Sequence, residues 1–228
     1  MPRRLAAVVA ITLAVACSGT GETTTTTAGT MAPGARSAQE AVRSWIGAVS
    51  TGRYEDASDL VPDDQLVVII GIENGIGPAA IATMAEAGVA AETLRDYWAG
   101  FEASFAEASG LAVTALDVGE ATPFETADGS YAAVKIFFPE RIGDSEIIVV
   151  ERPGGWQVDL MAVVGPSLVR QMRSLLIGLP QTIEGDVVRS LLGDMTPSLR
   201  AALARPGVDA LPLEYRAELV QLVGFLDS

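Results

Sequence analysis

Residues 145–163 read SEIIVVERPGGWQVDLMAV, and the class of fold turns on this stretch. Ser145 to Arg152 is an apolar, β-branched run of the kind that fits a pleated surface. Pro153-Gly154-Gly155 follows, and glycine supplies the positive φ that a tight hairpin needs. In the return segment, Trp156 to Val163, residues Trp156, Val158 and Leu160 alternate with Gln157 and Asp159, the two-residue period of a strand. Further back, Ser130 to Phe138 and Leu111 to Val118 carry the same period, so four strands are expected between 111 and 163. The final strand has one wet face. By contrast, Ala132, Val134 and Ile136 oppose Tyr131, Ala133 and Phe137, and Ile147 to Val150 is apolar throughout, so both faces of the sheet centre must be covered.

Outside this window the period is helical. Ala38, Ala41, Val42, Trp45, Ile46 and Val49 share one face, and Ser37 with Glu40 makes a capping box. Tyr54 to Leu60 starts another helix. Glu92 to Ala108 places Leu94, Tyr97, Trp98, Phe101 and Phe105 together. After Pro166 the stripe Leu168, Met172, Leu175, Leu176 and Leu179 is placed to fold back on the sheet, and three further helical segments follow. The expected fold is α+β, with N-terminal helices on a curved antiparallel sheet and a helical C-terminal extension. The expected divisions are 1–16, a signal peptide; 17–36, a flexible tether; 37–164, the α+β domain; and 165–228, the extension.

The N-terminus carries an address. Arg3-Arg4 precedes an uncharged run from Leu5 to Ala16, too short to span a bilayer, and Ala14-Val15-Ala16-Cys17 closes it. Cys17 is the only cysteine in 228 residues. The segment resembles a lipobox, with Ala14 in the slot usually held by leucine. That resemblance implies cleavage before Cys17, acylation of its thiol by palmitate-like chains, and an extracytoplasmic protein anchored to the cell membrane. The Thr-, Gly- and Ser-rich run to Arg36 has too little apolar surface to fold and reaches roughly 25 Å as a flexible coil.

Charge and composition exclude several functions. The chain has 15 basic and 29 acidic residues. Loss of Arg3 and Arg4 with the signal leaves 13 against 29, a field that repels nucleic acid and anionic lipid. There is no histidine, so Ser-His-Asp and Cys-His sites are ruled out, and zinc lacks its usual histidine and free cysteine ligands. No metal or cofactor is expected.

Val67 to Gly88 resembles the opening of short-chain dehydrogenases, with Gly71, Gly75 and Gly77 in the pyrophosphate turn and Tyr131 and Lys135 as the Tyr-x-x-x-Lys pair. Against it, Tyr131 and Lys135 sit on a strand, where residues four apart are roughly 13 Å from each other. Val67 to Gly88 is therefore expected to be an apolar helical segment, with no dinucleotide bound.

Helices followed by a meander that closes on a Gly-Gly-Trp hairpin resemble the ketosteroid-isomerase-like domains of the nuclear-transport-factor superfamily. The residues that carry the likeness are AQEAVRSWIGAVSTGRYEDASDLV (38–61) and IIVVERPGGWQVDLM (147–161). In this the chain looks like lipid-anchored actinobacterial proteins with that domain. The resemblance implies a cone-shaped fold over Ser37 to Val164 and a pocket within it. Its expected role is binding, of a small apolar ligand or an envelope protein. Trp45, Trp98, Phe101, Trp156 and Asp159 are the candidate ligand-binding residues, and the alternative for the aromatics is that they only fill the core. A second possibility is an isomerase- or dehydratase-like enzyme using an Asp/Tyr pair drawn from Tyr54, Tyr97, Asp117 and Asp159. A monomer is expected, although the superfamily often dimerises sheet to sheet.

Overall fold

The computed structural model describes residues 35–138 and 144–227. The expected signal peptide, Cys17 and the tether as far as residue 34 lie outside the described residues. The chain forms α1 (Ala38–Ser50), α2 (Tyr54–Asp59), α3 (Asp63–Glu73), α4 (Pro78–Ala87) and α5 (Ala91–Ser109) before any strand. The strands are β1 (Asp117–Thr126), β2 (Gly129–Phe137), β3 (Asp144–Arg152) and β4 (Gly155–Val158). Then come α6 (Leu160–Gly178), α7 (Ile183–Asp194), α8 (Thr196–Ala204) and α9 (Leu213–Leu226). The α+β class is therefore as expected, with one antiparallel sheet in the order β1-β2-β3-β4.

Helix α1 begins at the expected cap. Ser37 Oγ accepts from Glu40 N, but the Glu40 carboxylate reaches one residue further back than in a standard capping box and accepts from Arg36 N at 2.9 Å. Helix α3 runs through Val67-Val68-Ile69-Ile70, a run whose β-branched residues favour strands. Every residue from Gln65 to Gly71 is buried, so packing on all sides overrides that weak local preference. Gly71 lets α4 approach: a Cβ there would come within 2.8 Å of Ile81 Cγ1.

Two strands differ from expectation. Leu111 to Val118 holds a 3₁₀ turn at Val113–Ala115, and β1 starts only at Asp117. Its glycine, proline and acids conceal a strand period. As an edge strand it tolerates Pro123, and its register shifts between Val118 and Ala121, where the Phe137 ring lies against Gly119. The last strand stops at Val158 rather than Val163. Asp159 Oδ1 accepts from Ala162 N at 2.8 Å and caps α6, so Asp159 is no longer on a strand face.

Both faces of the sheet centre are covered, since Tyr131 to Val134 and Ile148 to Val150 are all buried. Helix α1 meets all four strands, α6 meets β3, and α8 meets β1. Helix α6 is long and apolar enough to cross a membrane by length and composition. Its Leu168, Val169, Met172 and Leu176 are instead buried in the protein, where α3, α8 and α9 pack around it. The expected division at 164/165 falls inside α6, and one hydrophobic core runs from Ala35 to Leu222.

Candidate ligand cavity

Four elements bring aromatic and aliphatic side chains to one place. Trp45 comes from the buried face of α1, and Phe101 and Phe105, four apart on α5, come from one side of that helix. Phe138 and Ile147 approach from the sheet, and Leu160, Val163, Val164 and Ser167 follow the period of α6. They enclose a largely apolar cavity of about 140 Å³. Its wall is completed after α8 by Arg205, Leu211, Pro212 and Tyr215.

The aromatic wall is held by edge-to-face contacts. Trp45 lies 5.6 Å from Phe101 and 5.9 Å from Trp98, and Trp98 lies 5.8 Å from Phe101, between ring centroids. Phe105 stacks on Phe138 at 6.3 Å. Of the expected ligand residues, the structure thus brings Trp45 and Phe101 to the cavity. Trp98 stands behind them, fully buried, and donates from Nε1 to Ser58 Oγ at 2.9 Å. Its role is core. Trp156 is half-buried on β4, and its backbone N–H donates to Ala35 O at 3.0 Å, away from the cavity.

Asp159 is also absent from the cavity wall. Its carboxylate is wholly buried, and Oδ1 accepts from Gln65 Nε2 at 2.9 Å as well as from Ala162 N. Burial pushes its pKa up, against the bonds from Ala162, Ser198 and Gln65, so it works as a buried cap. Tyr54, Tyr97 and Asp117 do not line the cavity either, so the expected Asp/Tyr pair does not assemble there.

Sequence reasoning missed the polar end of the cavity. Glu146 on β3 lines it, beside Gly207, where a Cβ would come within 2.6 Å of Oε2. Arg205 follows α8 with its backbone N–H on Ala201 O. Burial pulls its guanidinium below the ordinary value, and the Glu146 charge works the other way. An arginine before Pro206, between two helices, gives no sequence signal of a ligand group. Phe105 and Phe138 were legible as apolar positions, but not as wall.

The glycines of the dehydrogenase-like segment lie on a helix and the turn after it. Gly71 sits within α3 where that family needs a strand end, so no pyrophosphate cradle forms. The acids Asp59, Asp63 and Asp64 meet Arg152 in an open cleft, and no group of residues able to hold a metal ion occurs among the described residues. Compared with known proteins, the chain matches no family model, no curated protein and no solved structure.

Proposed function

We propose that this protein is a lipid-anchored, extracytoplasmic binding protein of the ketosteroid-isomerase-like kind, and that it holds a small, largely apolar molecule in the cavity between α1, α5, the sheet and the C-terminal helices. The observation that carries the binding role is the cavity itself. Its volume, about 140 Å³, is close to that of an engineered apolar cavity of about 150 Å³ that binds benzene. The anchor rests on the sequence around Cys17.

Native mass spectrometry of protein purified from its host tests the cavity. A retained molecule of small mass is expected, and the emptied protein gains thermal stability when a benzene-sized compound is added, as any ligand of the folded state must cause. A protein that carries nothing and whose Tm no such compound moves refutes the binding role. For the anchor, Cys17→Ala is expected to leave the membrane fraction or to remain uncleaved. Normal processing and membrane retention of that variant would overturn the lipoprotein assignment.

A further inference from the structure

Three buried side-chain polar atoms have no hydrogen-bond partner among the described residues: Trp45 Nε1, Asp159 Oδ2 and Arg205 Nε. Two of the three belong to the cavity wall. Both of these are donors, and neither can turn into an acceptor, because an indole N–H and a guanidinium only donate. Trp45 is 4% exposed, so water in bulk does not serve its N–H. The acceptors on the same wall, Glu146, Tyr215, Ser145 and Ser167, bond to neither donor.

The start of α9 reaches the same wall as Arg205. Leu211, Pro212 and Tyr215 belong to the approach and first turn of α9, and Pro212 at its N-cap has no side-chain acceptor for the first N–H groups. The positive pole of a 14-residue helix therefore adds to the Arg205 charge. Two carboxylates oppose it: Glu214 in that turn, which is exposed, and Glu146 within the wall.

On the reading that this cavity is the ligand site, we infer that its ligand is a small organic monocarboxylate, with Arg205 binding the carboxylate, Trp45 offering a second donor, and a ring or short chain among Phe101, Phe105 and Phe138. A hydrocarbon would fill the same space and leave both donors unpaired. A site built with donors discriminates strongly against ligands that lack the acceptor. The volume limits the apolar part to about six carbons, the size of benzene. Long-chain lipids do not fit.

Calorimetric titration of the full chain in a non-ionic detergent at neutral pH tests this with benzoate and hexanoate against their neutral amides, benzamide and hexanamide. The carboxylates are expected to bind at least ten-fold more tightly. Arg205→Gln is expected to abolish that preference while amide binding persists. Trp45→Phe, which keeps an aromatic ring but loses the N–H, weakens both classes several-fold. Glu146→Gln removes the like charge and tightens carboxylates alone. That variant also guards the test against failure of Arg205→Gln to fold: unchanged carboxylate affinity in Glu146→Gln overturns the inference. If amides bind as well as carboxylates in the wild type, the carboxylate assignment fails while the cavity remains a binding site. If none of the four compounds binds, both fall.

Discussion

Gln65 lies in the first turn of α3 ahead of a buried apolar run, and three of the four hydrogen bonds open to its side chain are made across the chain. Its Nε2 donates to Asp159 Oδ1 at 2.9 Å and to Ser198 Oγ at 3.0 Å, and its Oε1 accepts from Met161 N at 3.0 Å. One amide thus joins α3, the start of α6 and α8 in a buried network, where an unmet partner costs more than a met one contributes. Asp159→Ala removes the α6 cap and one acceptor for Gln65, and is expected to cost about 2–3 kcal/mol in denaturant unfolding. The carboxylate itself carries a penalty. Its folded pKa is raised by burial above the ordinary 3.8, so the folded state holds its proton more firmly than the unfolded chain. Stability from this group is complete below the ordinary value and is lost as pH rises through the raised one. Asp159→Asn keeps the Oδ1 acceptor and removes the charge. Unfolding measured from pH 4 to 8 is expected to show a shallower decline in Asp159→Asn than in the wild type. Asp64 and Glu73, also raised by burial, leave a residual slope of the same sign. A parallel decline in both proteins would show that Asp159 ionises freely.

Two helical glycines separate packing from propensity at the scale of the element. Gly47 in α1 has nothing within 4 Å of the position a Cβ would take. Gly47→Ala therefore gains helix propensity without a clash, and about 0.5–1 kcal/mol of added stability is expected. Gly165 in α6 faces Leu199 Cδ2 at 2.8 Å and Met161 Sδ at 3.0 Å from the same construction, both in the core. Gly165→Val is expected to cost about 1–3 kcal/mol through overpacking between α6 and α8. Thermal melts of the two variants should move in opposite directions, and a stabilised Gly165→Val would show that α6 and α8 are not in close contact. Helix α6 also shows why elements are misread. Leu160 to Val163 looks like the end of a strand because its residues are apolar, and Pro166 looks like a helix start. The Asp159 cap places the start six residues earlier, with Pro166 inside the helix. Strand β1 was hidden for the opposite reason, since an edge strand with a bulge needs no alternating apolar pattern.

At the scale of the whole molecule, the segment after 164 is part of the core and not an appendage. Leu168, Met172, Leu192, Leu199 and Leu219 are buried in the same cluster as the sheet. A chain ending at Gly165 would cut α6, strand Gln65 without Ser198, and uncover apolar surface large enough to drive association. Sedimentation is expected to show that fragment aggregated or dimeric beside a monomeric full-length mature protein. A soluble, monomeric fragment that unfolds cooperatively would refute the argument. What the sequence alone determined is what local chemistry encodes. The α+β class, the α1 cap at Ser37, the β3–β4 hairpin at Pro153-Gly154 and the apolar stripes of α5 and α6 follow from periodicity and turn residues, which act over a few positions. The buried aromatics were legible as a group for the same reason. Only the tertiary structure decided that the helix through Val67 to Ile70 is enclosed on every side, that Asp159 is a buried cap, and that Trp45 and Phe101 share a cavity with Arg205. Each of these depends on which distant segment supplies the neighbour. Burial on all sides, a glutamine 94 residues away, and a loop joining two late helices are set by packing of the whole chain, which no local pattern records.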